Sequence, residues 1–175
     1  MQALIGLGNP DRKYQNNRHN AGCIFLNWFK DAYPERFSDW ADQNKISAEI
    51  SQSEKLILVK PKTYMNESGK IINPLKKYFH LANNEIILCH DDSDLVIGQF
   101  KISLKKNSAG HHGVDSIYAH LKDNDIKRVR IGIRPLLEKK RQKAEGLVLK
   151  NFRPEEKETL ISVFKSITAR LSLIG

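Results

Sequence analysis

The stretch Leu4-Ile5-Gly6-Leu7-Gly8-Asn9-Pro10, followed by Arg18-His19-Asn20-Ala21-Gly22, decides how this chain is read. Its apolar run predicts a strand over 3–8, and the segment after it predicts a helix over 20–32. A histidine therefore falls between the end of a strand and the start of a helix. In α/β proteins that is where ligands bind and chemistry is done. Three later segments repeat the arrangement: Pro61-Lys62-Thr63-Tyr64-Met65-Asn66-Glu67-Ser68-Gly69-Lys70, His90-Asp91-Asp92-Ser93-Asp94-Leu95 and Ser108-Ala109-Gly110-His111-His112-Gly113.

Working outward, further strands are expected over 46–50, 56–60, 86–89, 99–104 and 129–133, and helices over 69–80, 113–121 and 154–174. Alternation of this kind implies an α/β sandwich. Pro154, with Glu155, Glu156 and Glu158 behind it, marks the start of the last helix. Leu160, Ile161, Phe164, Ile167 and Leu171 then recur at helical spacing and are expected to face the core. No repeat or linker-like tract interrupts the chain, so residues 1–175 read as one domain.

At 175 residues and 40% hydrophobic composition, the chain is long enough to bury about two thirds of its unfolded surface without a metal or disulfide staple. Cys23 and Cys89 form no C-x-x-C and are expected to be reduced thiols. Met1 leads directly into the first strand with no signal-peptide pattern, and no run of about 18 apolar residues occurs, so a cytoplasmic protein is expected.

The net charge of +9 is unevenly placed: residues 101–153 hold 14 Lys and Arg against 5 Asp and Glu, and the rest of the chain is balanced. A basic region suits a phosphate backbone, although it can equally be a solvated surface. The stretch Leu137-Glu138-Lys139-Lys140-Arg141-Gln142-Lys143 reads as a basic loop.

Several chemistries are set aside on the residues present. Gly6-Leu7-Gly8-Asn9-Pro10-Asp11 has Asp11 where a dinucleotide fingerprint needs its third glycine. No G-x-S-x-G elbow supplies a serine nucleophile. A zinc site drawn from His90, Asp91, His111 and His112 lacks H-x-x-x-H or C-x-x-C support, so neither metal nor cofactor is expected. What remains is a histidine and a carboxylate, the equipment for activating water. A neutral imidazole takes the proton while the carboxylate fixes its tautomer, and His19 and Asp91 are the natural pair.

Taken together, the four segments resemble the bacterial peptidyl-tRNA hydrolase family in order and spacing, and the similarity continues through Arg128-Val129-Arg130-Ile131-Gly132-Ile133. The resemblance implies a single-domain, three-layer α/β/α sandwich with a twisted mixed sheet. It also implies cleavage of the ester joining a peptide to the 3′-terminal ribose of tRNA, by a monomer with no membrane partner. Residue by residue, it makes His19 the general base, Asp91 its orienter and Asn9 a holder of the substrate's carbonyl region or terminal adenosine. Met65 and Asn66 would hold the peptide, Tyr14 would stand at the cleft mouth, and Arg130 would clamp a tRNA phosphate.

Two departures from the family pattern stand out. His112 replaces a family asparagine and is expected to line the cleft, and Ser103 replaces a clamp lysine, with Lys101, Lys105 and Lys106 nearby. These changes leave open a second reading, a non-catalytic RNA- or protein-binding relative of the same fold.

Overall fold

The computed structural model describes residues 1–104, 106–122, 125–136 and 144–173. Lys105, the basic stretch 137–143 and the predicted end of the last helix at Ile174 lie outside the described residues. The strands are β1 (Gln2–Gly6), β2 (Ala41–Gln43), β3 (Ala48–Gln52), β4 (Leu56–Pro61), β5 (Ile86–Val96), β6 (Phe100–Ser103) and β7 (Lys127–Arg134). The helices are α1 (Ala21–Ala32), α2 (Ile72–Phe79), α3 (His112–Leu121), α4 (Ala144–Val148) and α5 (Pro154–Leu171). The strands make one sheet in the order β2-β3-β4-β1-β5-β7-β6. Its centre, β4-β1-β5-β7, is parallel, and β2, β3 and β6 run antiparallel at the two sides.

The three-layer expectation holds because the central strands are apolar on both faces. Leu4, Leu58, Cys89, Val129 and Ile131 pack one face against Phe25 and Phe29 of α1 and Leu160 and Phe164 of α5. Ala3, Ile5, Ile57, Val59 and Leu88 pack the other against Ile72 and Leu75 of α2 and Val114 and Ile117 of α3. Pro154 opens α5 as expected, and the backbone N–H of Arg153 donates to Glu156 Oε2 at 2.8 Å, closing a capping box.

Four differences from the sequence reading have local causes. β5 runs on through His90-Asp91-Asp92-Ser93-Asp94, because pairing with β7 (Asp91 opposite Ile131, Asp92 opposite Gly132) supplies a ladder that a polar run does not advertise. The helix expected over 69–80 is a 3₁₀ turn (Met65–Ile71) followed by α2, with His80 closing it in the left-handed region at φ 54°. β2 has only Ala-Asp-Gln and no β-branched residue to signal it. α4 lies in the stretch read as basic surface.

Gly22 sets the distance between α1 and the sheet. A Cβ there would sit 2.2 Å from the Cys89 carbonyl oxygen and 2.6 Å from the Leu7 nitrogen, both backbone atoms. Gly146 in α4 has nothing within 4 Å. Gly22→Ala is expected to destabilise by at least about 2 kcal/mol, whereas Gly146→Ala is expected to stabilise by about 0.5–1 kcal/mol through helix propensity. Thermal unfolding followed by circular dichroism checks both signs.

Candidate active site

The parallel strands end at one edge of the sheet, where β1 and β5 deliver the chain to the segments singled out in the sequence. His19 lies in a 3₁₀ turn (Arg18–Asn20) that feeds α1. Its Nδ1 stands 2.9 Å from Asp91 Oδ1 on β5. The Asp91 side chain is buried and that of His19 is 12% exposed, so the imidazole reaches solvent while its partner does not.

A second histidine meets the same oxygen. His111 Nε2 is 2.9 Å from Asp91 Oδ1, and its Nδ1 accepts from the backbone N–H groups of Gly113 (3.2 Å) and Val114 (3.4 Å), capping α3. Because Nδ1 accepts, the His111 proton resides on Nε2 and is donated to Asp91. His19 likewise donates from Nδ1, which leaves its Nε2 lone pair for chemistry. The two rings lie 5.0 Å apart. His90, beneath them, donates from Nδ1 to the Asp91 carbonyl oxygen at 2.7 Å, and its Nε2 faces Arg128 Nη1 at 3.4 Å.

The electrostatics follow from this arrangement. Burial works against the His19 imidazolium, but the charge of Asp91 and its hydrogen bond outweigh that and raise the pKa above 6.5. Burial alone would push Asp91 up, yet the two imidazoles hold it well below the usual carboxylate range. Burial, with His111 close by, drives His90 well down, which keeps it neutral. Burial pushes the Cys23 thiol up to about 12, so it takes no part as a thiolate.

His19, Asp91 and His111 offer three donor atoms within 4.8 Å of one another, a different set from the one imagined from sequence. An ion on His111 Nε2 would force the proton onto Nδ1, against the two backbone N–H groups it now accepts from. The donor set therefore suits proton chemistry better than metal binding.

The remaining residues named from sequence fall in distinct places. His112 is exposed and lines the same cavity of about 240 Å³ as His19, Asp91, Ser108 and Glu145. Asn9 is fixed by its neighbours: its backbone exchanges hydrogen bonds with the Asn20 amide (2.9 and 3.0 Å), and its Oδ1 accepts from Met65 N at 2.9 Å. With Oδ1 engaged, the Asn9 Nδ2 group is the part available to a ligand. The Met65 side chain is in the core, and its sulfur would lie 2.4 Å from a Cβ at Gly113. Its backbone N–H bears on the site through Asn9. Asn66 is exposed, and Tyr14 is half-buried with Lys13 Nζ 4.8 Å from its ring. Arg130 is held by Asp92, Nε to Oδ2 at 2.5 Å.

Sequence reasoning weighed His111 only as a zinc ligand and missed its bond to Asp91, since a histidine before the predicted helix over 113–121 is no N-cap signal. It also missed Tyr64, an exposed aromatic whose hydroxyl donates to Asp11 Oδ2 at 2.9 Å beside the Asn9 loop.

Fold and site together define an α/β protein with a histidine–carboxylate pair at the strand ends, opening into a cavity fit for a water-activated hydrolase. The peptidyl-tRNA hydrolase family model matches residues 3–174, and the chain belongs to that family. It is 38% identical over 177 residues to a peptidyl-tRNA hydrolase of Enterococcus faecalis, covering 98% of this chain and 90% of the relative. It is 41% identical over 133 residues to one of Ligilactobacillus salivarius, covering 76% and 72%. The crystal structure of peptidyl-tRNA hydrolase from Acinetobacter baumannii superposes with a TM-score of 0.85 at 27% identity, covering 99% of this chain and 88% of that one.

His111 thus has two separable tasks, capping α3 and donating to Asp91. His111→Ala is expected to cost about 1 kcal/mol from the cap alone. His111→Asn keeps a capping side chain but is too short to serve Asp91, and is expected to cost about 1–3 kcal/mol, because a buried carboxylate loses one of its two donors. Denaturant unfolding of the two variants measures the difference.

Proposed function

We propose that the protein hydrolyses the ester between a peptide and the 3′-terminal ribose of tRNA, acting as a monomer in the cytoplasm. The observation that carries this reading is the His19–Asp91 hydrogen bond with its free Nε2 at the cavity wall. His19 Nε2 takes a proton from water, and the resulting hydroxide attacks the ester carbonyl carbon. Asp91, held ionised, keeps the proton on Nδ1 and stabilises the imidazolium that forms. The Asn9 Nδ2 group donates to the oxyanion, its direction set by the hydrogen bond that its oxygen accepts from Met65. Collapse of the tetrahedral intermediate breaks the bond to the ribose oxygen, which takes the proton back from His19.

Asn66, exposed beside Met65, offers an amide donor and acceptor to a peptide main chain, a mode of holding that ignores side-chain sequence. His112 on the cavity wall offers one donor and one acceptor to the substrate. Tyr14 stands near the Asn9 loop as an aromatic surface for the substrate's end. Arg130 supplies a planar guanidinium to a phosphate, its Nε edge engaged by Asp92. A purely binding role would leave the His19–Asp91 pair without a task, and no observation favours it.

Release of tRNA from an N-blocked aminoacyl-tRNA tests the proposal. His19→Ala is expected to lower turnover about 10²–10⁴-fold with tRNA affinity retained. A loss of under about threefold would remove His19 from the mechanism. In the parent, the acid limb of kcat/KM should have its midpoint above 6.5, because protonation of the raised His19 removes the base. Asp91→Asn leaves burial without the compensating charge, so the remaining activity should show that midpoint shifted to lower pH.

Binding of tRNA should weaken with salt, with a slope of roughly 0.7–0.9 per phosphate contact. Arg130→Ala is expected to flatten the slope by about one contact. A slope unchanged in this variant would take Arg130 out of phosphate binding.

A further inference from the structure

The residue before His19 is tied to the far end of the chain. Arg18 and Glu156 form an ion pair with side chains only 4% and 6% exposed, Arg18 Nη2 donating to both carboxylate oxygens at 3.1 and 2.8 Å. Arg18 Nη1 donates to the Ile133 carbonyl oxygen at the end of β7 at 2.9 Å, and its guanidinium lies 5.1 Å from the Phe152 ring. The backbone is laced to the same segment. Arg18 N donates to Lys150 O at 2.9 Å, Phe152 N donates to Asn16 O at 3.0 Å, and Asn17 bridges Asn151 in antiparallel fashion. On the other side of His19, Asn20 is clamped to Asn9. The base therefore occupies the middle of a three-residue turn whose two flanking residues are both pinned.

Burial this deep makes the pair a poor source of stability, because desolvation of two charges offsets their attraction. What the pair does supply is a fixed geometry, with Nη2 shared between the two carboxylate oxygens and Nη1 held by the end of β7. A general base needs that, since misplacement by about 1 Å can cost about 10²-fold in rate.

We propose that Arg18 and Glu156 are positioning residues for His19: the buried pair ties the base to the start of α5 and the end of β7 and holds its imidazole in register with Asp91. The inference rests on the hydrolase reading of the site. Glu156→Gln is the sharper test, because a glutamine at this position still completes the capping box of α5 while Arg18 loses its counter-charge; the Arg153 guanidinium, which also reaches Glu156 Oε1 at 3.2 Å, is exposed and loses little.

With N-blocked aminoacyl-tRNA as substrate, and at a temperature where circular dichroism shows the variant folded, kcat should fall at least about tenfold. KM should stay within about twofold of the parent. The double variant Arg18→Met with Glu156→Leu replaces the pair by apolar groups of similar size, which is often neutral for stability. It also removes the α5 capping box and the hydrogen bond to Ile133, so it should melt below the parent, and at a temperature where circular dichroism shows it folded it should turn over slowly. A folded double variant that turns over like the parent, or a Glu156→Gln protein with kcat within about twofold of it, would overturn the positioning role. A parent protein that releases no tRNA would overturn the hydrolase reading and this inference with it, whereas an active parent with unaffected variants overturns the inference alone.

Discussion

One carboxylate oxygen, Asp91 Oδ1, receives an N–H from each of two imidazoles, and the arrangement of the site follows from satisfying it. A buried carboxylate is costly unless its charge is met by donors. The donors come from the turn after β1 and from the loop before α3, so a strand, a turn and a helix start must meet at one point. The acceptor nitrogen of His111 closes the scheme by capping α3, which couples the proton inventory of the site to the integrity of a helix. In this way a single ionised group directs both tautomers, and it leaves His19 with one lone pair facing the cavity.

The positive region of the sequence and this negative centre are joined by a local pairing. Arg130 stands opposite His90 across β5 and β7 and reaches Asp92 on the cavity wall, so the basic and acidic runs meet at the sheet end. Asp92 thereby keeps the guanidinium near the cavity that His19 lines. A long cation without such a tether would spend its rotamer freedom in solvent.

Much of the fold was legible because the central strands are apolar on both faces and flanked by helical periodicity, a pattern with few other solutions. The His19–Asp91 pair was legible for a related reason: each follows an apolar run, and parallel strands bring such ends together. His111 was not, because its role depends on which way one of two adjacent histidines turns, and that is set by the N-cap geometry of α3. Met65 shows the converse. The side chain expected to hold the peptide is largely buried, with Gly113 leaving room for its sulfur, and its backbone N–H, which no side-chain pattern advertises, holds Asn9. The continuation of β5 through five polar residues was hidden because a strand's ladder is made by its partner, here β7, and not by its own composition.

The lacing of residues 16–18 to 150–156 has a consequence for biosynthesis. A ribosome delivers His19 and Asp91 first, and the anchor at Glu156 arrives well after both. A nascent chain can form β1, β4, β5 and α1 while its base is still loosely held. The site gains its anchor only once Glu156 has been made, so a chain abandoned before that point holds His19 and Asp91 without the ion pair that fixes the His19 turn.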